Sequence, residues 1–220
     1  MEEPTKRQDL IREGLKTSCG YVHGILEREI EVVGRKNVVL WGLSQGCAAS
    51  LTALLTWDGE PFAAVVGMCG YMPFANHIEE IARGHSWGSR NDAFGRGEDE
   101  DDDPFSHSGD EDDDNDVFGK DSLVKQNLPT QAVTFLRDEI DMQDKARMVF
   151  RDIPIFLGHG TKDDKVPIEN GREAKTCLDL LGAYVKMVEY EGLGHWYSDD
   201  MLGDIFDFFT EKLGIEDAQS

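Results

Sequence analysis

Apolar side chains recur at Ile11, Leu15, Cys19, Val22, Leu26 and Ile30 with polar residues between them, the three-to-four spacing of one amphipathic helix over 7–33. It ends near Gly34. The period then changes: Asn37-Val38-Val39-Leu40-Trp41 carries an apolar run without polar alternation, as expected of a strand covered on both faces. Phe62-Ala63-Ala64-Val65-Val66-Gly67-Met68-Cys69 reads as a second buried strand. Ile153-Pro154-Ile155-Phe156-Leu157 and Val185-Lys186-Met187-Val188-Glu189-Tyr190 give a third and a fourth. Helical spacing returns after the first strand, in Cys47 to Leu55, again over 170–181, and finally over 199–213, where Met201, Ile205, Phe208 and Phe209 would face inward. Strands alternating with helices imply an α/β fold with a parallel sheet and helices on both of its faces. At 220 residues and 40% hydrophobic content the chain can bury one core, so 1–220 reads as a single domain.

The interval 71–151 breaks this rhythm. Its centre, 97–121, joins Gly, Ser and Pro to twelve acidic residues between Glu98 and Asp116 with no Lys or Arg among them, about half of the net charge of −22. Such a tract buries too little surface to offset its chain entropy and is expected to be a disordered insertion. Asp112, Asp114 and Asp116 alternate like the ligands of a calcium loop, yet Val117 stands where the turn needs glycine and Leu123 where the bidentate glutamate belongs, so no metal site is assigned. Helical segments around 77–83 and 131–146 flank the tract as a candidate cap. With no basic stripe, nucleic-acid binding is excluded as an expectation. No stretch is long and apolar enough to span a bilayer, and the charged first thirty residues read as no signal peptide. Cys19, Cys47, Cys69 and Cys177 are far apart, each in an apolar segment, and read as buried free thiols of a cytosolic protein.

The chemistry enters at Gly42-Leu43-Ser44-Gln45-Gly46, which sits between the first strand and the small-residue start of a helix. That order suits a nucleophile elbow, a strained strand-to-helix turn with the serine oxygen lifted clear at its apex; the two glycines would relieve crowding there. A serine hydroxyl needs a histidine to take its proton and a carboxylate to orient that histidine. In a sheet of this kind the partners follow in the order acid, then histidine, on loops after later strands. The third strand runs into Gly158-His159-Gly160-Thr161-Lys162-Asp163-Asp164-Lys165-Val166-Pro167, which offers two adjacent aspartates. The fourth runs into Glu191-Gly192-Leu193-Gly194-His195-Trp196. Of the six histidines, His23 lies in the first helix, His77, His85 and His107 lie in or beside the insertion, and His159 precedes the aspartates and would shape their loop. Only His195 follows a strand after the acid.

Taken together, the Gly42 to Gly46 elbow, His159-Gly160 with Asp163 and Val166-Pro167, and Tyr190-Glu191-Gly192 with His195 resemble the acyl-protein thioesterase, lysophospholipase and carboxylesterase family of the α/β-hydrolase fold. The resemblance covers about 7–213 apart from 71–151. It implies a three-layer sandwich with a mostly parallel sheet, and it selects Asp163 over Asp164, because in that family the acid precedes a Val-Pro pair by three positions. It further implies a catalytic set of Ser44, Asp163 and His195, with the backbone N–H of Gln45 as an oxyanion donor at a helix N-terminus. Metal and organic cofactors are not called for.

Family members begin with further strands and a His-Gly-x-Gly type loop that gives a second oxyanion donor. The resemblance therefore implies that the first strands are missing here and that the strand over 37–41 is left at an edge. Hydrolysis of acyl esters or thioesters is the leading expectation, with S-acylated proteins, lysophospholipids or small esters as substrates and a cytoplasmic location, the nucleus being an additional one. An inactive fragment acting as an interaction protein is the alternative, and a peptidase shares the same chemistry.

Overall fold

A computed structural model describes residues 4–84, 117–143 and 147–214, with side chains from residue 11 onward and, in the 117–127 stretch, backbone only. The first helix, α1, spans Pro4–Val33. It ends where Gly34 takes a φ of 83°, and a single 3₁₀ turn, Arg35–Asn37, leads to β1, Val39–Leu43. Then follow α2 (Gln45–Leu55), β2 (Ala64–Met68), α3 (Ala75–Ala82), α4 (Val117–Glu139), β3 (Ile155–Gly160), α5 (Ile168–Leu180), β4 (Val185–Tyr190) and α6 (Asp199–Leu213). The four strands pair in the order β1-β2-β3-β4, all parallel.

Alternation along the central strands divides the core in two. Val65, Ile155 and Leu157 face one side, where Leu51 and Leu54 of α2, Ile78 of α3, Leu136 of α4 and Leu178 of α5 cover them. Ala64, Val66, Met68 and Phe156 face the other, against Met201, Ile205, Phe208 and Phe209 of α6. The α6 stripe is the one the sequence pattern specified. Helix α2 is buried nearly all round because α1 lies over its outer side: Cys19 packs with Ala53, and His23 bonds to the Ala53 carbonyl at 2.8 Å. Ile11, assigned by spacing to the apolar stripe of α1, is 49% exposed; it lies beyond Cys19 and Leu26, where the packing on the domain is closed.

Two expectations shift. The helix expected over 131–146 starts earlier, at Val117, and stops at Glu139, where Asp141 turns left-handed (φ 51°) and the Met142 N–H returns to the Arg137 carbonyl at 2.9 Å. Consequently the last five residues of the insertion expected over 97–121 are helical backbone, the acidic run having stopped at Asp116. The rest of that insertion, with the aspartates of the calcium-loop pattern, lies outside the described residues. As expected, β1 has a partner on one side only among the described residues, and Trp41 on it is 40% exposed.

Candidate active site

Each parallel strand delivers one chemically able side chain at its carboxyl end, the edge at which open α/β sheets place their sites. Ser44 follows β1, Cys69 follows β2, Asp163 follows β3 by three residues and His195 follows β4 by five. Ser44 has φ 56° and ψ −119°, a left-handed conformation in a residue with a Cβ, and it caps the start of α2. Such strain persists only where the surroundings impose it. Here the Ser44 N–H is fixed to the Met68 carbonyl at 2.8 Å, and the Ser44 carbonyl accepts from Ala48 at 3.2 Å. A Cβ on Gly42 would lie 2.3 Å from the Gly46 carbonyl oxygen and 2.6 Å from the Cys47 nitrogen, so the turn requires glycine at 42. Position 46 differs from expectation. A Cβ there meets nothing within 4 Å, because Gly46 contributes backbone to the crowding and its own substituent would point to solvent.

The acid and histidine loops interlock. A Cβ on Gly160 would sit 2.2 Å from the Leu193 carbonyl oxygen, so the two loops cross in direct backbone contact. Lys162 N–H donates to that same carbonyl at 2.9 Å, Thr161 N–H to Tyr190 at 2.9 Å, and Gly192 N–H to the Thr161 hydroxyl at 2.9 Å. This clasp sets His195 above Asp163. The His195 Nδ1 lies 2.8 Å from Asp163 Oδ2, and its Nε2 lies 3.0 Å from the Ser44 hydroxyl. Asp163 has a fully buried carboxylate, whereas the Asp164 side chain is 74% exposed beside Lys165. Burial alone would raise the Asp163 pKa, but the N–H donors of Val166 and Lys165, each at 2.9 Å, and the His195 ring outweigh it and hold the carboxyl below its ordinary value. His159 shapes this loop: its Nε2 donates to the Val166 carbonyl at 2.8 Å and stands 3.3 Å from Asp163 Oδ2. Gln45 opens α2 and is exposed, with its N–H in the first helical turn.

A Phospholipase/Carboxylesterase family model matches residues 133–213, the part that holds Asp163 and His195. Acyl-protein thioesterase 1 of Yarrowia lipolytica is 22% identical over 206 residues, 92% of this chain and 62% of that protein. The Neurospora crassa acyl-protein thioesterase 1 is 36% identical over a shorter stretch of 63 residues, 29% of this chain and 26% of that protein. Among solved structures, Arabidopsis thaliana SOBER1 superposes with a TM-score of 0.54 at 21% identity, covering 89% of this chain and 62% of that one. Zea mays acyl-protein thioesterase 2 gives 0.54 at 18% identity, with coverages of 92% and 66%. The chain has the α/β-hydrolase fold and is similar in sequence to acyl-protein thioesterases. It spans about three-fifths of the length of the relatives matched along most of it, 62% of the Yarrowia lipolytica protein and 63% of acyl-protein thioesterase 1 of Debaryomyces hansenii.

Sequence reasoning passed over one residue at this site. Cys69, the residue after β2, has φ 47° and is fully buried, and its thiol donates to the Trp196 carbonyl at 3.3 Å. Burial pushes the thiol above its ordinary range and the nearby Asp163 charge adds to this, so it is neutral at rest. Cys69, Asp163 and His195 each offer one ligand atom within 4.8 Å of the others. The available signal was topological: a polarisable side chain ending the strand between those of the serine and the acid. Trp196 and Tyr197, stacked at 5.1 Å and 55% and 39% exposed, continue the surface beside His195. No helix among the described residues is long and apolar enough to cross a membrane.

Proposed function

We propose that the protein hydrolyses acyl esters or thioesters through Ser44, His195 and Asp163. The carrying observation is the unbroken chain of contacts from Ser44 Oγ to His195 Nε2 at 3.0 Å and from His195 Nδ1 to Asp163 at 2.8 Å. In this reading His195 Nε2 takes the hydroxyl proton as Ser44 Oγ bonds to the acyl carbon, and Asp163 keeps the tautomer with its proton on Nδ1 and steadies the imidazolium. The oxyanion is received by the Gln45 N–H at the positive end of α2. His195 then returns the proton to the departing alcohol or thiol, which leaves Ser44 acylated. Water, deprotonated by the same nitrogen, releases the acid and restores the serine.

The likeness to acyl-protein thioesterases favours an S-acylated protein, with lysophospholipids and small esters as further substrates. The exposed Trp196 and Tyr197 rings offer an apolar surface at the mouth of the site for such a group. A fluorophosphonate probe tests the reading. Ser44 labels in the parent protein, and labelling is lost in Ser44→Ala and His195→Ala. A folded parent that takes no label overturns the hydrolase reading in favour of an interaction protein.

A further inference from the structure

Cys69 has no part in that reaction, yet its sulfur, a carboxylate oxygen of Asp163 and a ring nitrogen of His195 lie within 4.8 Å of one another. It is the one group of three such side chains among the described residues. The ring nitrogen next to the carboxylate is Nδ1, at 2.8 Å. A tetrahedral zinc ion with bonds of about 2.0–2.3 Å needs its ligand atoms roughly 3.3–3.6 Å apart, so small side-chain shifts bring the three into place with water as the fourth ligand. Sulfur, imidazole and a single carboxylate suit zinc or cadmium; magnesium and calcium prefer oxygen alone. The three come from strand-end loops already pinned by Gly160 against Leu193 and by Val166 and Lys165 against Asp163, so the scaffold needs little new order.

We propose that Cys69, Asp163 and His195 form a site for a thiophilic divalent cation of the zinc type, and that its occupation switches Ser44 off. The second half rests on the hydrolase reading; the first does not. On binding, the Cys69 thiol loses its proton to solvent and the sulfur bonds to the ion. His195 bonds to the ion through its Nδ1 lone pair, and its single ring proton passes by way of solvent from Nδ1 to Nε2, so the imidazole stays neutral. An imidazole protonated at Nε2 cannot accept the Ser44 proton, and Asp163 is withdrawn to the metal. No electron is transferred, and removal of the ion restores the resting tautomer.

The full chain is titrated with cadmium in excess magnesium, which occupies the carboxylates of the acidic tract, while the ultraviolet charge-transfer band of a cadmium thiolate is followed. The parent gains the band to one equivalent, and Cys69→Ala and Cys69→Ser, checked for cooperative melting, do not. A band that persists in both variants, or none in the parent, overturns the site. Fluorophosphonate labelling is then compared with and without zinc within each protein. Zinc slows the parent at least about tenfold, well inside the loss of about 10⁴ that a wrong histidine tautomer causes in a triad, and leaves each Cys69 variant near its own metal-free rate. Equal slowing in parent and variants overturns the switch. Should the parent not label even without metal, the hydrolase reading and the switch fail together, and the cadmium band alone decides the site.

Discussion

Ser44 holds its conformation because a missing side chain at residue 42 lets two backbone segments touch, and the two glycines of the elbow therefore carry different loads. Gly42→Ala forces a Cβ to 2.3 Å from a carbonyl oxygen, so the turn must open. We expect a loss of about 1–3 kcal/mol, typical of overpacking, together with loss of Ser44 labelling. Gly46→Ala meets open space inside α2 and is expected to melt at or above the parent temperature, since alanine is worth up to about 1 kcal/mol over glycine in a helix. Thermal melts with probe labelling read both. The aspartates form a second contrast. Asp163→Asn leaves the shape intact but favours the wrong tautomer of His195, and esterase turnover should fall by about 10⁴. Asp164→Asn, on an exposed side chain, should leave turnover within about twofold, an effect typical of a surface change. Hydrolysis of a chromogenic ester distinguishes the two.

Between elements, the contact of α1 with α2 holds a titratable group. His23 of α1 donates from Nε2 to the Ala53 carbonyl and stands edge-on to Trp57, with ring centroids 5.3 Å apart. Burial lowers its pKa below the ordinary 6.5, more than the Ala53 bond and the neighbouring Asp58 raise it. In the unfolded chain His23 binds a proton near 6.5, and in the folded protein it does so only at lower pH. Its contribution is therefore complete above that value and declines as pH falls below it toward the folded pKa. Denaturant midpoints at about pH 7.5 and 5.5 should drop less in His23→Gln than in the parent. Equal drops would show that His23 does not titrate in that window. The far end of α4 is tied in by the Arg137 guanidinium, which reaches Asp58 at 2.7 Å and the Thr56 carbonyl at 3.1 Å, so α2 and α4 share one anchor.

At the scale of the molecule, β1 presents Val39-Leu40-Trp41 with no charge or proline to blunt its free side among the described residues. Open, apolar edge strands template pairing with other chains. Trp41→Lys is expected to lower concentration-dependent association, measured by light scattering, and unchanged scattering would remove the edge as its cause. The sequence by itself determined the order of elements, because uninterrupted apolar runs and three-to-four spacing are local consequences of burial in strands and helices. It also carried Ser44 and His195, whose surroundings follow from strand-to-loop order. It left Asp163 and Asp164 unseparated except through resemblance, and it gave Gly46 a role that belongs to Gly42. Tertiary structure decided those points, together with the presence of Cys69 beside the acid. The reason is physical: which neighbour of a loop residue is buried, and which backbone lies under a glycine, depends on segments that meet only when the parallel strands bring their carboxyl ends together.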